Sequence, residues 1–114
     1  MGLDNHFYSS DRKLKTEKDK VTIKRSQAEY LSHIGSLRKE WEIHEFIAED
    51  YIECGGEGFI YGYGFNNIYY DITHLIPELI QSFSKDSDKH IFPLFRDILY
   101  EIAQDKYIIY SEEI

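Results

Sequence analysis

The stretch GEGFIYGYGFNNIYYDIT, Gly56–Thr73, decides the fold because it is rich in aromatic side chains and carries only two charges. Asn66–Asn67 predicts a two-residue hairpin turn, since asparagine tolerates positive φ. That turn would place Tyr63 opposite Tyr70, with most of the large side chains on one face of the ribbon. Burial of apolar area contributes about 25 cal/mol per Å², which makes this face the expected floor of a core. The alternative is a platform of rigid aromatic anchors for a binding partner.

Helical patterns flank this stretch on both sides. Upstream, the capping-box pair Ser26 and Glu29 predicts a helix whose apolar stripe reaches His44. Downstream, a second helix is predicted over Thr73–Phe83 and a third from Pro93. The other predicted elements are strands at 3–8, 21–25 and 106–111, a short strand within 49–58, a mobile charged loop at about 9–20, and a frayed end at 111–114.

These elements predict a single α+β domain, with a small, mainly antiparallel sheet packed with about three helices. A chain of 114 residues is the size of one ordinary domain. The only cysteine, Cys54, has no disulfide partner within the chain, which favours a cytoplasmic protein. No apolar run approaches the roughly 18–20 residues that a membrane helix needs, so no membrane association is expected.

Charge is spread unevenly along the chain. Residues 1–25 hold seven basic and four acidic side chains, a net charge of +3, whereas residues 26–114 hold six and seventeen, a net charge of −11. An acidic surface repels phosphate backbones, so nucleic-acid binding is disfavoured.

The acidic excess is concentrated between Glu40 and Glu57, where seven carboxylates occur without a lysine or arginine. This run is either a solvated face or a docking surface for a basic protein partner. The candidate partner-binding residues are Glu49, Asp50, Glu53, Glu57 and Tyr69.

No recognisable cofactor or metal motif is present. The five histidines, at positions 6, 33, 44, 74 and 90, are scattered, whereas zinc sites usually show two close pairs of ligands. Cys54 lies among carboxylates that disfavour a thiolate, so an inert thiol is predicted. The sequence therefore predicts neither a metal nor a cofactor.

Two carboxylate–histidine pairs leave an enzymatic alternative open. Glu40 and His44 would share one face of the first predicted helix, and Asp71 precedes His74 at a strand-to-helix junction. A carboxylate can orient an imidazole for base catalysis. A small hydrolase or nuclease would use these pairs together with Arg38.

Three blocks resemble a known family: MGLD at Met1–Asp4, LRKEWEIHEFI at Leu37–Ile47 and IYYDITHLIPEL at Ile68–Leu79. Together they are similar to small uncharacterised proteins of phages and prophages. The individual matching positions in the last two blocks are Arg38, Lys39, Ile43, His44, Tyr69 and Tyr70. Leu37 and Phe46 stand where the family usually has tryptophan, and Trp41 stands where it usually has asparagine.

The resemblance implies a phage or mobile-element setting and no reaction, because the family has no assigned activity. Combined with the acidic run, it predicts a small non-enzymatic protein that binds and modulates or inhibits a protein partner. The setting would be that of a phage accessory, counter-defence or immunity protein.

Overall fold

The computed structural model describes residues 2–56, 68–84 and 89–113, and these form an α+β fold. The predicted class, a mainly antiparallel sheet with about three helices, is confirmed. Short 3-10 turns lie at Arg25–Tyr30, Thr73–Leu75 and Lys89–Ile91. The main elements are β1 Asp4–Ser10, β2 Thr22–Ile23, β3 Ser32–Arg38, α1 Trp41–Glu53, β4 Tyr69–Asp71, α2 Ile76–Phe83, α3 Phe92–Ile102 and β5 Tyr107–Glu113.

Within the described residues, the sheet has five strands in the order β2-β4-β5-β1-β3, and all neighbours are antiparallel. On β1, Phe7 lies opposite Tyr110 of β5 and Gly35 of β3. Because side chains alternate between the faces of a strand, these cross-strand partners share one face. That face is covered by the three helices.

The main core lies between this face of the sheet and the helices. Each helix contributes at least one side chain that is almost completely buried: Ile43 from α1, Leu79 from α2 and Ile98 from α3. Full burial of such a side chain stabilises the fold by about 1.5–3 kcal/mol. The core is completed by Phe7, Leu37, Ile47, Tyr51, Tyr70, Ile72, Leu75, Ile76, Ile91, Leu94, Phe95, Ile108 and Tyr110.

A smaller cluster covers the opposite face of the sheet. Leu14 and Ile23, from the segment 11–31, are buried there together with Ile109 of β5. The guanidinium carbon of Arg12 lies 4.3 Å from the centre of the Tyr30 ring, a cation–π contact within that segment. The sheet is therefore covered by helices on one side and by a long connection on the other.

The aromatic stretch is described only in its second half. Tyr70 and Ile72 are buried in the main core, as predicted for the inward face. Tyr69 points to the other face and packs with the smaller cluster. The first strand and the turn of the predicted hairpin, 59–67, lie outside the described residues. At Tyr70 both edges of β4 are occupied, by β2 and by β5.

The long first helix predicted from Ser26 is wrong. The chain forms the 3-10 turn Arg25–Tyr30, then β3, and only then α1. Pairing of β3 along β1 overrides the local helical period, because tertiary context often outweighs propensity. A side chain at Gly35 would meet Leu94 of α3 at 2.9 Å, so this glycine serves close packing. Lys39 has a φ of 61° and turns the backbone between the end of β3 and the start of α1.

Two further predictions at element boundaries are wrong. The short strand expected within 49–58 is instead the last part of α1, which continues to Glu53. Most of the end expected to fray, 111–113, belongs to β5, where Ser111 and Glu112 are buried, and residue 114 lies outside the described residues. The predicted second helix, third helix and final strand are confirmed, with small shifts at their ends.

Candidate functional site

Helix α1 carries the most distinctive exposed surface of the described chain. Its buried face includes Ile43, Ile47 and Tyr51. Four exposed glutamates, spaced three, four and four residues apart, lie along the opposite side, and we call them the acidic row: Glu42, Glu45, Glu49 and Glu53. With 3.6 residues per turn this spacing places them on one face, where they create a concentrated negative potential.

Two apolar side chains flank the acidic row. Trp41 and Ile52 are 41% and 43% exposed, on the side of α1 next to the glutamates. Helix α1 contains no lysine or arginine. A surface that combines carboxylates with exposed apolar side chains fits a basic, amphipathic partner.

The structure divides the predicted partner-binding residues among different places. Glu49 and Glu53 belong to the acidic row. Asp50 faces sideways and is hydrogen-bonded, and Tyr69 is half-buried with its ring centre 6.0 Å from that of Tyr8. Glu57 lies outside the described residues.

Sequence reasoning counted Glu42 and Glu45 within the acidic run but did not select them. Glu45 precedes Glu49 by four residues and Glu42 precedes Glu45 by three, and this helical spacing is the signal that identifies them. That signal becomes usable once α1 is known to begin at Trp41.

The predicted catalytic pairs are arranged differently from the expectation. Glu40 Oε1 is hydrogen-bonded to His90 Nε2, at 2.8 Å. Asp71 Oδ1 accepts hydrogen bonds from the backbone N–H of Thr73 at 2.9 Å and from its hydroxyl at 2.6 Å, a turn-forming role. Arg38 is exposed on β3 and pairs across the sheet with Asp4.

His44 lies in a buried polar centre. Its Nδ1 is 2.9 Å from Tyr110 Oη, which also accepts a hydrogen bond from Asn5 Nδ2 at 3.0 Å. Burial lowers the pKa of His44 and raises the pKa of Tyr110. Both groups are therefore held neutral at physiological pH, and His44 is only 5% exposed.

His74 takes part in a second polar cluster, with Asp50 and Cys54. His74 Nε2 lies 2.7 Å from Asp50 Oδ2, and Cys54 Sγ lies 4.0 Å from the same oxygen. The hydroxyl of Tyr70 donates a hydrogen bond to Asp50 Oδ2. Burial and this hydrogen bond raise the pKa of Tyr70, so it remains a donor.

The fold alone brings this cluster together. Asp50 and Cys54 lie one turn apart at the end of α1, whereas His74 follows β4, 24 residues after Asp50. Helix α1 ends in a glycine cap: Gly56 N–H donates to the carbonyl of Tyr51, and Gly55 has φ of 97°. This cap fixes Cys54 beside Asp50. The sequence predicted no such cluster, because His74 is distant along the chain from Asp50 and Cys54.

A cleft of about 510 Å³ opens beside the cluster. Its lining residues include Cys54, His74, Lys13 and Lys20. The side chain of His74 is 53% exposed to this space, against 21% for Asp50. The cluster is therefore accessible to a small ligand.

A second group of titratable side chains lies where the inner strands β1 and β5 pair, at the start of β1 and the end of β5. His6 Nε2 is 3.3 Å from Glu113 Oε2, with Asp4 close by, and His6 Nδ1 is 2.7 Å from Ser36 Oγ. This group of Asp4, His6 and Glu113 offers one imidazole and two carboxylates and contains no thiol.

Comparison with known proteins gives no match: no family model, no curated protein and no solved structure matches this chain. No helix in the described ranges is long and apolar enough to cross a membrane.

Proposed function

We propose that this protein is non-enzymatic and binds a basic protein partner through the acidic row of α1, thereby modulating or inhibiting that partner. The observation that supports this most is the single-faced arrangement of Glu42, Glu45, Glu49 and Glu53, opposite the buried face of the helix. Such a face accelerates encounter with a cationic surface and selects against acidic partners.

The exposed apolar side chains explain how a bound complex would persist. Electrostatic attraction contributes mainly to the rate of association and to specificity, whereas aromatic anchors contribute most of the binding energy. Trp41 and Ile52 would supply that apolar contact at the two ends of the row. A partner helix with lysines or arginines beside an apolar stripe matches this pattern. From the resemblance of its sequence blocks to phage proteins, we further propose that the partner belongs to a phage or mobile-element setting.

Reversing the charge of two glutamates in the acidic row should weaken binding strongly. The full chain would be immobilised and exposed to lysate of the cells that carry its gene, as wild type and as Glu45→Lys/Glu49→Lys. The wild type should retain a stoichiometric basic protein, and the variant should bind that protein at least tenfold more weakly. A tenfold loss of affinity corresponds to about 1.4 kcal/mol, which two reversed charges can supply. Retention should also fall as salt rises from about 50 to about 300 mM.

The matched control is Asp11→Lys/Asp97→Lys, which changes the net charge equally at exposed positions away from α1. Retention by this control should equal that of the wild type. Equal loss in both double variants would show that only the net charge matters, and unchanged retention in the row variant would refute the proposal.

One observation favours the hydrolytic alternative, with a different pair from the one the sequence suggested. The bond of His74 to Asp50 beside an open cleft is an imidazole–carboxylate arrangement of the kind that supports base catalysis. If His74→Ala leaves partner capture and folding intact but removes the biological effect, this alternative replaces the binding function.

A further inference from the structure

We propose that Asp50, Cys54 and His74 form a binding site for a divalent transition metal ion of the zinc type, open towards the cleft. This inference is independent of the acidic row, which uses other side chains of α1. It revises the expectation, drawn from the sequence, that the chain has no metal site and an inert thiol.

The ligand types indicate the metal. A thiolate, an imidazole and a carboxylate are the three side-chain donors that zinc uses, and a soft sulfur donor selects against magnesium and calcium. All three donors of the Asp50, Cys54 and His74 group lie within 4.8 Å of one another. The site would therefore be a mixed sulfur, nitrogen and oxygen set rather than a carboxylate cage.

The distances suit tetrahedral coordination. Ligand atoms that lie 2.0–2.3 Å from zinc are roughly 3.3–3.7 Å from one another. The present separations bracket this range, with 2.7 Å between His74 Nε2 and Asp50 Oδ2 and 4.0 Å between Cys54 Sγ and the same oxygen. Small side-chain movements would admit the ion, which would replace the hydrogen bond between Asp50 and His74 and release the thiol proton of Cys54 to solvent.

The scaffold holds the ligands with unequal stiffness. Asp50 and Cys54 are fixed by the last turn of α1, where the Cys54 N–H donates to the Asp50 carbonyl at 3.0 Å. Tyr70 donates a hydrogen bond to Asp50 Oδ2, the oxygen that also faces His74 and Cys54, and such a hydrogen bond to a ligand oxygen orients and tunes a metal ligand. His74, being half-exposed, can adjust to the ion.

Three protein ligands leave one tetrahedral position open. Structural zinc sites are usually closed by four protein ligands, whereas sites that bind water or a small ligand keep one position free. Here the open position would face the cleft that Lys13 and Lys20 also line. An anionic small molecule is the ligand class that suits both the metal and these lysines.

Cobalt titration under reducing conditions tests the site. Cys54 is the only cysteine of the chain, so a thiolate-to-cobalt charge-transfer absorption can come from no other residue. We expect this band with one cobalt ion per chain, together with the intense visible bands of tetrahedral cobalt, and its displacement by zinc. Absence of the band in the folded wild type would refute the site.

Variants distinguish a three-ligand site from binding by a lone thiol. Cys54→Ser should remove the charge-transfer band. His74→Ala should weaken cobalt binding at least as much as the roughly 10–100-fold that loss of an outer-shell partner costs. His33→Ala, at an exposed histidine outside the cluster, should bind like the wild type. Circular dichroism of each variant would verify folding.

Three outcomes would overturn the proposal. Unchanged affinity in His74→Ala would mean that the thiol binds alone. One cobalt ion per two chains would mean that cysteines of two copies share it. Loss of binding in His6→Ala, with Cys54→Ser unaffected, would place the ion at Asp4, His6 and Glu113 instead.

Discussion

Asn5 is a completely buried amide that connects the sheet to the start of α1. Its Nδ2 donates to the carbonyl of Glu40 at 3.2 Å, and its Oδ1 accepts from the Glu40 N–H at 3.3 Å. The same Nδ2 donates to the hydroxyl of Tyr110, which contacts His44. A buried polar group costs free energy unless it is hydrogen-bonded, so this chain of contacts fixes where the helix begins.

The buried imidazole of His44 makes the stability of the protein dependent on pH. The unfolded chain takes up the proton near the ordinary pKa of about 6.5, whereas burial lowers the pKa of His44 in the fold. The unfolded state therefore binds more protons as the pH falls below about 6.5, and this contribution to stability is then lost. Above that pH it is fully present.

We expect the free energy of unfolding to fall between about pH 7 and pH 5, with His44 contributing a slope of at most about 1.4 kcal/mol per pH unit. Urea unfolding of wild type and His44→Gln would measure it. Glu112 and His44 line one small cavity, and Glu112 stays in both proteins, so the difference between their slopes belongs to His44. His33→Gln is the exposed control, and an unchanged slope in His44→Gln would contradict the argument.

The end of α1 is determined by backbone conformation. Gly55 has φ of 97°, and a side-chain carbon there would meet no atom within 4 Å. The cost of Gly55→Ala is therefore backbone strain alone, about 1–2 kcal/mol. Gly55→Asn should recover part of this loss, because asparagine tolerates the left-handed region.

Chemical unfolding of these variants would check the prediction, with Gly2→Ala as the control. Gly2 also has open space around it but needs no positive φ, so its replacement should be nearly neutral. If the two alanine variants are equally stable, the glycine cap does not determine where α1 ends.

Sequence patterns predicted those elements in which the spacing of apolar residues along the chain matches the spacing of the residues that are buried. Helices α2 and α3 show apolar residues every three or four positions and bury that stripe. Strand β3 was predicted as part of a helix because its apolar residues recur at helical spacing. The strand that pairs with it, β1, is distant in sequence. Asp50 and His74 were missed as a pair for the same reason, since tertiary structure alone joins them.

The whole molecule is asymmetric about its sheet. The helix side holds the large core that contains Phe7 and Ile108, whereas the other side holds a small cluster around Leu14, Ile23 and Ile109. Stability in a protein is distributed according to such packing, and units with few buried contacts open first. The segment 11–31 should therefore open without unfolding of the central strands.

Native-state hydrogen exchange would measure this difference. The amide of Lys24, bonded to the carbonyl of Lys15 at 3.0 Å, should exchange faster than the amides that pair β1 with β5. Leu14→Ala removes a buried side chain from the small cluster and should speed exchange within 11–31 at least tenfold, because such truncations cost about 2 kcal/mol or more. Leu99→Ala, at a half-exposed position on α3, should leave exchange in the segment unchanged. If Leu14→Ala speeds amide exchange in β1 and β5 by the same factor, the segment and the sheet open as one unit. The segment 11–31 would then be as integral to the fold as the helices are.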